Sequence, residues 1–158
     1  MPHIHRLYDF VVSAFIVHRG RVLLVHHKRY GRWLPIGGHI ELDEDPEEAL
    51  AREIREECGL KVRILASRPA VGHAGVKPIL TPSYVDVHRI GGRHKHIAFV
   101  YFAVSRTGRV LLHEREHRGF RWFSARDVRD GRFGLSRSLR FYCLRGLMAA
   151  RRRKEVVG

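Results

Sequence analysis

Glu53, Glu56 and Glu57 are spaced three and four residues apart in a segment that reads as a helix from Pro46 to about Cys58. At about 100° per residue, these three side chains fall together on one face. Like charges at such spacings cost a helix roughly 0.2–0.5 kcal/mol per pair. A helix with a purely structural task would scatter these carboxylates or pair them with bases. Arg52 reaches Glu56 at spacing four but cannot neutralise all three. Hard divalent cations prefer oxygen ligands, and Mg²⁺ combines carboxylates with the phosphates of a substrate. Beside the pair Gly37-Gly38, the three carboxylates therefore read as a Mg²⁺ or Mn²⁺ site for phosphate chemistry. A solvated acidic face is the alternative that the helix alone leaves open.

The helix that must present them is well marked. Asp45 suits the N-cap, Pro46 the first helical position and Glu48 the third, and Gly59 suits the residue that ends the helix. Leu50, Ala51, Ile54 and Cys58 read as its buried stripe, while Glu48, Arg52 and Arg55 point elsewhere. Around it, β-branched and aromatic runs predict strands at Phe10–Val17, Val22–Val25, Val62–Ala66, Tyr84–Ile90, Ile97–Val104 and Phe120–Phe123. Trp33 to Gly38 reads as one short extended segment. A short helix is expected from Ser124, with Asp127 as its capping partner. A last helix is expected over roughly Ser136–Arg152, with Leu135, Leu139, Tyr142, Cys143 and Leu147 facing the core. Gly72–Thr81 reads as a loop.

At 158 residues the chain suits a single domain, expected over residues 1–150, followed by a frayed basic tail over 151–158. An apolar share of 44% excludes wholesale disorder. Thirty Lys and Arg against 16 Asp and Glu give a formal net charge of +14, which suggests a polyanionic substrate or partner. The acids crowd between Glu41 and Glu57, and basic residues dominate from Arg118 to Lys154. No apolar run is long enough for a transmembrane helix, and Met1–Phe10 lacks the pattern of a signal peptide. The two cysteines, Cys58 and Cys143, make no disulfide framework and read as buried thiols. A reducing, cytoplasmic location is expected, with no membrane partner.

The wider spacing is more specific. In GHIELDEDPEEALAREIREECGL, the residues Gly38, Glu44, Arg52, Glu53, Ile54, Glu56, Glu57, Gly59 and Leu60 match every specified position of the Nudix box. The stretch resembles the signature of Nudix hydrolases, and the order of elements around it is similar to that family's. The resemblance implies an α/β fold, an α/β/α sandwich built on a mixed sheet. It implies that Glu53, Glu56 and Glu57 bind divalent metal, with the Gly37 carbonyl joining the shell. Glu44 and Arg52 match a pair that ties loop to helix, and Gly38 and Gly59 match glycines of the loop turn and the helix exit. The implied reaction is hydrolysis of a nucleoside diphosphate linked to another group, by water attack on phosphorus.

The general base is left open between the box residue Glu53 and a glutamate of the later segment His113–His117, Glu114 or Glu116, with Glu57 also counted among the catalytic residues. The marks of several substrate subfamilies are absent, so the substrate reads only as a nucleoside triphosphate or derivative. The alternatives are trimming of RNA 5′ ends and a non-catalytic module that binds nucleotide or RNA. Ile36 departs from the family pattern, since many members carry proline there and this chain has Pro35 one residue earlier.

Other residues admit two readings each. His39 could lie near phosphate or be a surface-loop histidine, and His94 and His96 could line a substrate cleft or stand at strand edges. Trp33, Tyr84, Tyr101 and Trp122 could stack on a base or fill the core. Arg151-Arg152-Arg153-Lys154 could hold nucleic acid or end a solvated helix.

Overall fold

A computed structural model describes residues 7–155. In chain order it contains β1 (Tyr8–His18), β2 (Arg21–His27), β3 (Arg32–Leu34), β4 (Ile36–His39), α1 (Pro46–Glu57) and β5 (Val62–Ile64). There follow β6 (Tyr84–Gly91), β7 (His94–Ser105), β8 (His117–Phe123), α2 (Ala125–Arg129), a 3-10 turn (Gly131–Phe133) and α3 (Arg137–Glu155).

The strands form one mixed sheet with the order β3-β2-β1-β7-β5. β4 also pairs with β1, β6 with β7 and β8 with β2. β1 and β7 run parallel through ten registered pairs, Tyr8↔Lys95 to Val17↔Val104, and the other pairings are antiparallel. Period-two alternation splits the long strands between two cores. Val12, Ala14, Ile16, Tyr101 and Ala103 face α1, packing with Leu50, Ile54 and Cys58. Phe15, Val17, Val100 and Phe102 face the other helices, packing with Val128, Leu139, Cys143 and Leu147. The result is an α/β/α sandwich in a single domain.

The differences from the sequence expectations have physical causes. Pro35 has no N–H to give a ladder, so Trp33–Gly38 divides into β3, which pairs with β2, and β4, which pairs with β1. Ile36, the residue in the usual proline position, is fully buried in the α1-side core. Along α1 the buried small residue is Ala49, and Ala51 is exposed. β7 begins at His94 and β8 at His117, each three residues earlier than expected, because β1 and β2 supply ladder partners there. α3 continues through Arg151 to Glu155, and 156–158 lies outside the described residues.

The expected caps are in place. Asp45 accepts from the Glu47 and Glu48 amides, and Glu48 reaches back to the Asp45 amide at 2.9 Å. Gly59 leaves α1 at a φ of +62°, in the left-handed region that favours glycine. Ser124 and Asp127 form the matching box on α2.

Candidate active site

The site is built where the end of α1 meets β4. Gly37 has a φ of +152°, and a Cβ there would stand 2.0 Å from the Val12 carbonyl oxygen. A Cβ on Gly38 would stand 2.2 Å from Glu53 Oε1. The two glycines thus let the backbone of β4 approach both β1 and the carboxylates of α1. The Gly37 amide donates to Glu57 Oε2 at 2.8 Å.

The three box glutamates do not share one environment. Glu57 lies inside the buried face of α1 with 7% of its side chain exposed, Glu53 is at the edge with 13%, and Glu56 is open with 52%. Arg52 controls the outer two. Its Nε donates to Glu44 Oε1 at 2.6 Å and its Nη2 to Glu44 Oε2 at 2.9 Å, a two-pronged pair between the loop and the helix. Its Nη1 donates to Glu53 Oε1 at 2.7 Å and stands 3.5 Å from Glu56 Oε2, while Nη2 also reaches the His39 carbonyl at 2.9 Å. The bond from Arg52 holds the Glu44 carboxyl below its usual range. Burial raises the Glu53 carboxyl, Arg52 opposes this, and the charges of Glu57 and Glu56 add to the rise.

Glu57 has a further partner that sequence reasoning did not single out. The Nε2–H of His117 donates to Glu57 Oε1 at 3.1 Å, from a ring only 1% exposed. That direction places the proton on Nε2 and leaves Nδ1 buried without a partner. His27, paired with His117 across β2 and β8, holds its ring 5.5 Å away. Burial lowers the His27 pKa and His117 lowers it further. The doublets His26-His27 and Glu116-His117 were the available signal, but only the β2–β8 register brings them to α1.

The segment before β8 is fastened to α1 by its backbone. The Leu111 amide donates to the Cys58 carbonyl at 2.9 Å and the His113 amide to the Glu57 carbonyl at 3.2 Å. This anchorage brings Glu116 to Glu57 and His117, and one ligating atom from each lies within 4.8 Å of the others. Glu114 stays outside. Its side chain is exposed, and its carbonyl takes the Lys28 ammonium.

The donor set fits a hard divalent cation. Carboxylate oxygens converge at the C-terminal end of a helix, where the backbone dipole is itself negative. The missing Cβ of Gly38 leaves room for Glu53 beside them. Glu53 and Glu56, held by Arg52, lie outside the tight set formed by Glu57, Glu116 and His117.

The aromatic candidates all make packing contacts or hydrogen bonds within the fold. Tyr101 is fully buried and donates to the Leu80 carbonyl at 3.1 Å. Trp122 donates to the Gly108 carbonyl at 3.2 Å, Trp33 packs edge-on to Phe123, and Tyr84 packs against Phe102 and Tyr142. His39, His94 and His96 stand on β4 and β7 near Asp9 rather than beside Glu57.

The chain is similar to known proteins in sequence and in fold. The family profile of the NUDIX domain matches residues 7–141. A mouse (Mus musculus) protein named oxidized purine nucleoside triphosphate hydrolase is 36% identical over 94 residues, 58% of this chain and 56% of its own. Nucleoside triphosphatase NudI of Escherichia coli is 32% identical over 101 residues, 62% of this chain and 65% of its own. The chain therefore spans less than two thirds of either relative. The crystal structure of a NUDIX-family hydrolase from Clostridium perfringens superimposes with a TM-score of 0.76 at 31% identity, covering 88% of this chain and 95% of that one. With the profile matched over most of its length and the box glutamates on a capped helix against the glycine pair, the chain belongs to the NUDIX domain family.

Proposed function

We propose that this protein hydrolyses a pyrophosphate bond in a nucleoside triphosphate or a related nucleoside diphosphate derivative, with a divalent cation at the end of α1. The observation that carries this reading is the convergence of Glu57 and Glu116 at an acidic helix end within a chain of net charge +14. Glu53, Glu56, Glu57 and the Gly37 carbonyl are the proposed ligands for Mg²⁺ or Mn²⁺, with Glu116 close by. When bound, the cation neutralises phosphate charge and lowers the pKa of a coordinated water.

The remaining work falls to the chain. Glu116, half-exposed at the mouth, accepts the proton of the water that attacks phosphorus. The Gly37 amide and His117 hold the two oxygens of Glu57 in fixed directions. Arg52 holds Glu53 in place and ties the Glu41–Glu44 loop to the helix. The surrounding arginines draw in the polyanionic substrate. The names of the mouse and Escherichia coli relatives support a nucleoside triphosphate.

An RNA 5′ end is the second reading, favoured by the exposed Arg145, Arg151 and Arg152 on α3. These lie across the sheet from α1, so they would touch the body of an RNA rather than its terminal phosphates. The test is release of phosphate and pyrophosphate from nucleoside triphosphates, oxidised nucleotides, ADP-ribose, dinucleoside polyphosphates and 5′-triphosphate RNA. Turnover of nucleoside triphosphates that needs Mg²⁺ or Mn²⁺ and stops with chelator is expected. Silence across the panel with nucleotide binding intact would replace the enzyme by a binding module.

A further inference from the structure

A second group of ligating side chains lies on the opposite face of the sheet from α1. The parallel register sets Asp9 of β1 beside His96 of β7. His94, two residues from His96, shares its face. The β1–β4 register puts His39 opposite Val11, on the Asp9 side, and the β6–β7 register puts His88 opposite His96. One carboxylate and four imidazoles therefore meet where four strands come together.

The distances are those of a ligand set. His94 Nε2 is 3.1 Å and His39 Nε2 is 3.5 Å from Asp9 Oδ2. One atom each from Asp9, His94 and His96 lies within 4.8 Å of the others. A tetrahedral ion with bonds of 2.0–2.2 Å would bring such atoms to roughly 3.4 Å apart, an adjustment within the reach of side-chain torsions. The rings of His39, His94 and His88 surround that of His96 at centroid distances of 4.9, 5.4 and 5.5 Å, all near perpendicular.

A purely structural role is a poor match for this packing. The four imidazoles crowd one face of the sheet, and His96 among them is only 8% exposed. His88, packed against the His96 ring, is itself held by Asp86 at 2.8 Å. Asp9 and His94 are half-exposed, so an ion can enter.

We propose that Asp9, His94 and His96 bind a divalent transition ion of the zinc class, with His39 as a further donor, independently of the carboxylates of α1. Two imidazoles and one carboxylate suit zinc or nickel, whereas Mg²⁺ prefers oxygen alone. The site joins β1 to β7.

The test is calorimetric titration of the full, chelator-treated chain with Zn²⁺ in the presence of excess Mg²⁺. The excess Mg²⁺ occupies oxygen sites and competes weakly for imidazoles. One tightly bound equivalent is expected, together with a rise in melting temperature. His94→Gln and Asp9→Asn, both on partly exposed side chains, are each expected to weaken binding about tenfold or more while leaving the metal-free melting temperature near that of the wild type. Unchanged Zn²⁺ affinity in both variants would overturn the proposal. Loss of the Zn²⁺ equivalent in Glu57→Gln, with His94→Gln unaffected, would overturn it too by placing the ion at α1.

Discussion

Glu114 and Glu116 are two residues apart and meet different surroundings. The backbone bonds from 111–113 to α1 bring Glu116 to Glu57, while Glu114 faces solvent. Glu116→Gln is therefore expected to lower kcat by about 10²–10⁴-fold, the usual worth of a positioned base, and Glu114→Gln to leave it unchanged. Equal losses in steady-state assays of the two variants would reject the assignment. The thiols give a second check. Burial pushes Cys58 up to about 11 and Cys143 up to about 12, so both stay protonated in mildly alkaline buffer. Neither should react with a thiol reagent in the native protein, and both should react in denaturant; rapid labelling of the folded chain would contradict their burial. The box glutamates were legible in the sequence because spacings of three and four are short-range helix geometry. The burial of Glu57 was not. A carboxylate at the centre of the buried face is tolerated only because the Gly37 amide and His117 satisfy it, and His117 arrives from 60 residues away.

At the scale of elements, α1 does two things at once. Its buried face, Ala49, Leu50, Ile54, Glu57 and Cys58, runs from core packing into the site. Ile54→Ala is expected to cost about 2–5 kcal/mol, read as a lower melting midpoint, and a negligible change would mean that this face is wrongly assigned. The start of the helix is strapped by Glu47, which accepts from the Leu80 amide at 2.6 Å and from Arg68 at 2.7 Å. That strap joins the long loop between β5 and β6 to α1 and could not be read from the loop's own composition. The caps of α1 and α2 could, because each is a contact within three residues. The early starts of β7 and β8 could not, because they depend on partner strands distant in sequence. Pro35 shows the middle case: the breaker was visible, but the two different partners of β3 and β4 were not.

For the whole molecule, the sandwich was legible from the order of strands and helices together with the box, while the mixed pairing of β1 with both β4 and β7 is a property of the assembled sheet. Among the described residues, no helix is long and apolar enough to cross a membrane. The charge distribution makes its own prediction. An acidic centre inside a chain of net charge +14 should attract a polyanion over long range, so kcat/KM should fall as ionic strength rises, with kcat nearly constant. A kcat/KM independent of salt would remove the role given to the basic surround. The central claim, that the end of α1 is the seat of catalysis, rests on Glu57. Because Glu57 is buried between the Gly37 amide and His117, Glu57→Gln is expected to cost about 1–3 kcal/mol and to leave the chain folded. The most direct measurement is nucleoside triphosphate turnover by Glu57→Gln at saturating Mg²⁺, with its melting curve recorded alongside. Loss of turnover in a folded protein is the predicted result; near-normal turnover would contradict the account.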